Sequence, residues 1–160
     1  MLKILLALLL IGASPLTIAA QSTPAASFQC QPTPEDEMGP FYRPEAPLRS
    51  VIGTGYLLTG TVRSAVDCMP IAGPLIEFWQ AAPNGRYEDS HRAAIITGEA
   101  GSYRLETDAP PEYFTRPSHI HIRVSAKGFR TLVTQHYLEP GSHSARLDLV
   151  MVPEPGGYLE

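Results

Sequence analysis

The stretch RPSHIHIRV, residues 116–124, alternates regularly from its first histidine onward and indicates a β-strand. Successive side chains of a strand point to opposite faces, so three branched apolar residues share one face while His119 and His121 share the other. The apolar face is typical of a strand that packs on a core. The two imidazoles either lie in solvent or bind a metal ion, and imidazole suits Zn, Cu, Fe and Ni alike.

Further apolar or alternating runs lie on both sides of this strand, and clusters of Gly, Pro, Asn or Asp separate most of them. The predicted strands are 56–62, 74–81, 93–97, 102–107, 119–126, 131–138 and 145–152. No run beyond the N-terminal segment has a sustained apolar period of 3.6 residues. Seven short strands at this spacing predict an all-β fold, an antiparallel β-sandwich of the transthyretin-like sort, with a barrel as the alternative.

The N-terminal segment has the layout of a secretory signal peptide over residues 1–20: one Lys, an apolar run at 4–11 and small residues before the expected cleavage site. A membrane anchor is the alternative, but the apolar run is shorter than the ~20 residues that span a bilayer. We therefore expect an exported protein, periplasmic or secreted, without a membrane attachment after cleavage. Residues 21–37, rich in Pro, Ser, Thr and Gln, predict an extended leader, and 38–160 the sandwich domain.

The cysteine count bears on disulfide formation, and the net charge bears on nucleic-acid binding. Cys30 and Cys68 are the only cysteines, and in an exported protein a disulfide between them is favoured over two free thiols. The net charge is −4 and the chain lacks a run of basic residues, so nothing supports nucleic-acid binding.

Several motifs occur in a characteristic order. The most specific is Tyr113, followed by Arg116-Pro117, the His-Ile-His triplet and, downstream, Thr-Gln-x-Tyr at 134–137. The matching segments are 32–49, 58–89, 101–107, 110–124 and 129–138. With these segments the chain resembles the intradiol ring-cleavage dioxygenases, which are non-haem iron(III) enzymes, over nearly all of the predicted domain.

The resemblance implies an enzyme that cleaves the ring of a small aromatic diol of the catechol type with O2, giving a cis,cis-muconate. It implies iron ligands at Tyr87, Tyr113, His119 and His121, with Arg116 and Gln135 as further active-site residues. Tyr113 would be the ligand that leaves when the diol binds, and Arg116 would stabilise negative charge on the ring. A homo-oligomer is compatible with this resemblance.

Other hypotheses remain open at the level of sequence. A non-catalytic sandwich module that binds sugars or partner proteins would share the fold, and fold alone does not decide function. A Zn or Cu hydrolase that uses the two histidines is a third hypothesis. A carboxylated catechol would need a cationic partner, for which Arg43, Arg49 and Arg92 are the candidates.

The remaining tyrosines within the predicted domain are interpreted as packed rings with a hydrogen-bonded hydroxyl, the usual state of a tyrosine. They are Tyr42, Tyr56, Tyr103 and Tyr137. Alternation places Arg123 on the histidine face, where we expect it to act outside the reacting centre.

Overall fold

The computed structural model describes residues 27–155, so the predicted signal peptide lies outside the described residues. Its strands are β1 (Tyr56–Ser64), β2 (Leu75–Ala81), β3 (Tyr87–Ile96), β4 (Ser102–Thr107), β5 (His119–Ser125), β6 (Leu132–Tyr137), β7 (Ser144–Arg146) and β8 (Leu149–Met151). Within this part of the chain, no helix has the length and apolar character needed to cross a membrane.

The strands form two sheets. One, called the site sheet below, has the order β3-β2-β5-β6, and all its pairs are antiparallel. The other, called the back sheet, has the order β4-β1-β7, with β8 also paired to β1. The predicted antiparallel β-sandwich is confirmed, except that β7 and β8 both run parallel to β1.

The final predicted strand, 145–152, is divided into β7 and β8 by a local interruption. Between the two strands the Asp148 carboxylate replaces a backbone acceptor, because it accepts a hydrogen bond from the backbone N–H of Thr61 at 3.0 Å. The carbonyl of Leu147 approaches β1 so closely that a Cβ on Gly60 would lie 1.8 Å from its oxygen. A side chain at Gly60 would therefore force the two segments apart.

The core lies between the two sheets and follows from the alternation of each strand. In β2 and β5 one face carries fully buried apolar side chains, and burial of each of them contributes roughly 1.5–3 kcal/mol. Side chains with no exposed surface include Leu58, Val62, Ile76, Phe78, Leu105, Ile120, Ile122, Val124 and Leu149. The opposite face of β2 and β5 then carries the polar and aromatic residues that form the site.

The described part of the leader contains no strand, yet it is attached along the free edge of β6. The backbone N–H of Asp36 donates to the carbonyl of Val133 at 2.9 Å, and the Thr134 hydroxyl donates to the carbonyl of Pro34 at 2.9 Å. Upstream, a disulfide joins Cys30 to Cys68, which confirms the favoured pairing. The leader is thus attached to β6 by hydrogen bonds and to Cys68 by the disulfide. The residues that follow it reach the outer face of the site sheet.

Candidate metal centre

The candidate site lies on the outer face of the site sheet, where alternate residues of β5 point away from the core. His119 and His121 are nevertheless only 3% and 2% exposed, because leader and loops cover this face. The strand register places Trp79 of β2 and Gln135 of β6 on either side of His121, and Tyr137 beside His119.

Tyr87 reaches the histidines because the β2–β3 ladder is irregular. Trp79 pairs with Arg92, whereas Ala81, two residues later, pairs with Tyr87, so β3 contains extra residues between these positions. The Tyr87 hydroxyl lies 3.4 Å from Nε2 of His119 and 3.2 Å from Nε2 of His121. The strand therefore begins at Tyr87, earlier than the predicted start at residue 93, and Tyr87 is not in a loop.

A backbone carbonyl determines which nitrogen of His119 carries the proton. Nδ1 of this ring lies 2.7 Å from the carbonyl oxygen of Pro117, and a carbonyl only accepts, so Nδ1 must donate. In the neutral ring Nε2 is then an unprotonated acceptor that faces the Tyr87 hydroxyl. Histidines that bind metals characteristically donate their second N–H to such a carbonyl.

His121 is held by packing rather than by a second hydrogen bond. Its ring stacks on Trp79 with centroids 5.0 Å apart and planes 4° from parallel. Burial, and after it the charge of the nearby His119, lower the pKa of His121 to about 4. Nδ1 has no hydrogen-bond partner among residues 27–155, although the nearby Glu37 backbone favours the protonated ring. At neutral pH the ring is thus uncharged.

Gly39, two residues after the leader, covers His121 and leads to a testable prediction. This residue has φ +69°, and a Cβ there would lie 3.0 Å from Cε1 of His121. We expect Gly39→Ala to lose about 1–2 kcal/mol of unfolding free energy through its left-handed backbone. For the iron that the sequence resemblance implies, we expect binding about tenfold weaker, because the ring is displaced. Urea unfolding and a chelator competition would measure the two effects.

The matched control for this prediction is Gly73→Ala. Gly73 has φ +72°, but a Cβ there would have no neighbour within 4 Å. It should show the same backbone destabilisation with unchanged iron affinity. Equal iron affinities for the two variants would mean that the Gly39 contact does not position His121.

Tyr113 and Arg116 are the two ends of one tight turn. Their backbones exchange two hydrogen bonds, of 3.1 and 2.9 Å, and Phe114 inside the turn has φ +53°. The Tyr113 ring meets Tyr87 edge-on, with centroids 5.5 Å apart, and Phe41, which follows the leader, stacks on the Tyr87 ring with centroids 4.2 Å apart. The two predicted tyrosine ligands are therefore neighbours in the structure.

The acidity of Tyr87 depends on this environment. Burial, and after it the neighbouring Tyr113, raise the pKa of Tyr87 to about 12. The free phenol is therefore protonated at neutral pH. A bound cation would have to displace that proton, as it does for other coordinating acids.

Arg116 and Gln135 are in direct contact. One guanidinium nitrogen, Nη2 of Arg116, donates to Oε1 of Gln135 and to the Tyr137 hydroxyl, both at 2.9 Å. Tyr137 in turn donates to the Asp36 carboxylate at 3.0 Å. The sequence interpretation of Tyr137 as a hydrogen-bonded ring is confirmed, but its partners place it at the candidate site.

The other three tyrosines are hydrogen-bonded elsewhere. Tyr103 donates to the Leu147 carbonyl at 2.7 Å, and the Tyr56 hydroxyl lies 2.7 Å from Nε2 of His136. Tyr42 donates to the Glu77 carboxylate at 3.1 Å, and the same carboxylate pairs with Arg123 at 2.7 Å. Arg123 is thus engaged away from the histidines.

The three arginines considered for a substrate carboxylate are engaged in other contacts. Arg43 and Arg92 both pair with the Asp89 carboxylate, at 2.6 and 2.9 Å. Arg49 donates to the Arg92 carbonyl at 2.9 Å. These arginines connect the chain around residue 43 to β3, and a carboxylated substrate would have to displace those partners.

The donor set at the histidines consists of imidazole nitrogens and phenol oxygens. Among residues 27–155, no three His, Cys, Asp or Glu side chains are grouped so that they could hold a metal. Instead Nε2 of His119, Nε2 of His121 and the Tyr87 oxygen converge, with Tyr113 adjacent. Ionised phenols are hard anionic ligands, so these residues fit a hard trivalent cation better than a thiolate- or carboxylate-type zinc site.

Sequence reasoning missed several contributors to this site. They are Asp36, Gly39, Phe41, Trp79 and Tyr137. Alternation could have found Tyr137, which lies two residues after Gln135 on the same strand and so on the same face. Asp36, Gly39 and Phe41, which lie in the leader or directly after it, carry no such signal, because their position depends on a long-range attachment to β6.

Comparison with known proteins points to one family. No family model matches the chain. The chain is similar to hydroxyquinol 1,2-dioxygenase from Rhizobium sp. (strain MTP-10005), with 32% identity over 149 residues that cover 71% of this chain and 50% of that protein. It is also similar to chlorocatechol 1,2-dioxygenase from Cupriavidus pinatubonensis, with 31% identity over 137 residues that cover 64% of this chain and 53% of that protein. The chain thus spans about half the length of these curated relatives.

A solved structure matches over a larger share of both chains than these curated relatives do. The dioxygenase domain of a dioxygenase–carbohydrate-binding protein fusion from Streptomyces sp. SirexAA-E superimposes with a TM-score of 0.69 and 28% sequence identity. The match covers 78% of this chain and 100% of that domain. The match therefore extends over the whole length of that solved domain.

Proposed function

The chain belongs to the intradiol ring-cleavage dioxygenase family, and on this premise we propose that it is a non-haem Fe(III) enzyme that opens the ring of a catechol with O2. One observation carries the proposal: the Tyr87 oxygen and Nε2 of both histidines meet within 3.4 Å. Tyr113 would complete the ligand set from its turn.

The overall reaction balances without a further reductant. The bond between the two hydroxyl-bearing ring carbons breaks, both atoms of O2 enter the product, and catechol becomes cis,cis-muconic acid. When bound, Fe(III) would withdraw electron density from the catechol and so make the ring reactive towards O2.

The protein residues have separable tasks in this reaction. His119 and His121 lie on β5, which is hydrogen-bonded to a strand on each side, and Tyr87 lies on β3, which is paired with β2. These three residues are therefore suited to remain in place. Tyr113 lies on a short turn instead, and its phenolate oxygen would accept one proton from a catechol hydroxyl as the diol binds. A residue on a turn can move without disturbing the sheet.

The proposed task of Arg116 is electrostatic. Arg116 follows Tyr113 by three residues in the sequence, and its guanidinium is held at the outer face of the site sheet. There it would stabilise negative charge on the deprotonated diol, and the buried surroundings of the histidines would strengthen that interaction.

We also propose that the protein is exported. The N-terminal signal pattern supports this, and the Cys30–Cys68 disulfide is the kind of bond that persists in an oxidising compartment. Fractionation of cells that express the full chain, followed by immunoblotting, would test it; accumulation in the cytoplasm with reduced cysteines would contradict export.

The proposed activity predicts a coloured protein. Expressed with iron and purified, the full chain should have a broad visible band from tyrosinate-to-Fe(III) charge transfer, and the band should shift when a catechol is added. An oxygen electrode with catechol, hydroxyquinol, chlorocatechol and protocatechuate would then identify the substrate. A colourless protein that contains no iron after iron-replete expression would contradict the proposal and favour a non-catalytic binding module.

A further inference from the structure

The leader supplies a carboxylate to the group of residues that holds Arg116. Asp36 Oδ2 accepts a hydrogen bond from the Tyr137 hydroxyl at 3.0 Å, and Asp36 Oδ1 lies 3.4 Å from Nε2 of Gln135. The next leader residue adds a stronger contact, because the Glu37 carbonyl accepts from the same Gln135 nitrogen at 2.6 Å. Both residues that contact Arg116 are thus bound to the leader on their other side.

These contacts determine how Gln135 and Tyr137 are oriented. The Glu37 carbonyl can only accept, so the Gln135 amide must direct its NH2 to the leader and its oxygen to Arg116. Tyr137 has a single hydroxyl proton, and donation of that proton to Asp36 leaves the oxygen lone pairs free to accept from Arg116. The leader therefore orients two acceptors, Oε1 of Gln135 and the Tyr137 oxygen, towards the guanidinium.

The Asp36 carboxylate is itself fixed in place. Its own backbone N–H is bonded to Val133 of β6, and the backbone N–H of Glu37 donates to Asp36 Oδ1 at 2.6 Å. The adjacent acid Glu35 behaves differently: its side chain is 67% exposed and lies 3.9 Å from Arg130. Two neighbouring leader acids thus differ in whether they reach the site.

We propose that Asp36 is a positioning residue that acts through Tyr137 and Gln135 to hold the Arg116 guanidinium against the diol-binding site. The inference rests on the proposed function only for the role of Arg116 in catalysis. An arginine side chain has many rotamers, and one that extends from a two-residue turn needs such acceptors to stay in one of them. The leader is then a working part of the site.

Chemical labelling of Arg116 tests this without any catalytic activity. The metal-free full chain would be treated with phenylglyoxal, and the labelling rate of Arg116 would be measured by peptide mass spectrometry relative to exposed Arg104. Asp36→Asn and Tyr137→Phe should each label Arg116 several-fold faster than the wild type, because the guanidinium loses an oriented acceptor. Glu35→Gln should match the wild type. Equal rates in all four proteins would overturn the proposal.

A double-mutant cycle in the iron-loaded enzyme tests whether Asp36 acts through Arg116. Asp36→Asn should lower kcat/KM for catechol about 10- to 100-fold, as misplacement of a charged group does, with iron content and visible band unchanged. In an Arg116→Gln background the same substitution should add less than about twofold. Additive losses would overturn the proposal. If the wild type takes up no oxygen, the proposed function fails, while the labelling result still decides the role of Asp36.

Discussion

The His119→Ala variant is expected to purify without iron, without visible colour and with kcat/KM for catechol reduced at least about 10³-fold, which is about 4 kcal/mol of barrier. The ring lost is one whose tautomer is set by the Pro117 carbonyl and whose Nε2 faces Tyr87 at 3.4 Å. Alanine leaves at most three of the four proposed ligands. Metal analysis, the visible spectrum and oxygen uptake would measure the effect.

The matched control is His143→Ala. His143 is exposed, and its backbone carbonyl accepts a hydrogen bond from Leu57, a contact that alanine retains. This variant should keep iron, colour and activity. Because the core face of β5 is unchanged in the His119 variant, both proteins should unfold cooperatively, which separates loss of metal from loss of fold. Stoichiometric iron with an unchanged band in His119→Ala would show that this residue is not a ligand.

The Tyr113→Phe variant is expected to keep iron but to lose about 10²- to 10⁴-fold in kcat/KM, the range that a positioned proton acceptor contributes. Phenylalanine retains the edge-on contact with Tyr87 and the turn to Arg116, so only the hydroxyl is removed. The loss should become smaller as the pH rises, because solvent then removes a proton from the catechol that Tyr113 would otherwise accept. Oxygen uptake as a function of pH, with the visible spectrum, would measure both effects.

A phenol remote from the site provides the control for Tyr113→Phe. The Tyr56 hydroxyl contacts His136, whose side chain does not share the face of His119 and His121. Tyr56→Phe should lose some stability and leave the pH dependence of activity unaltered. If Tyr113→Phe instead lost its iron as completely as the histidine variant, Tyr113 would be a permanent ligand and the proton would go elsewhere.

Local patterns were sufficient to predict the sandwich and the histidine pair. Alternation in β5 assigns Ile120 to the core and His119 to the outer face whatever lies beyond the strand, because strand geometry has a period of two. The same rule could not locate the start of β3. Tyr87 belongs to that strand only because extra residues are accommodated in its ladder with β2, and such an irregularity depends on both strands.

The strand faces, the disulfide partners and, through a resemblance, the tyrosines and histidines of the site can all be predicted from local sequence. The closure of the site by the leader and the residues that follow it is a property of the folded chain. Asp36, Gly39 and Phe41 lie in an irregular segment without periodicity, and they reach Tyr137, His121 and Tyr87 because hydrogen bonds to β6 hold that segment in place. Contacts between residues about 50 to 100 positions apart depend on the folded sandwich, and no local spacing encodes them.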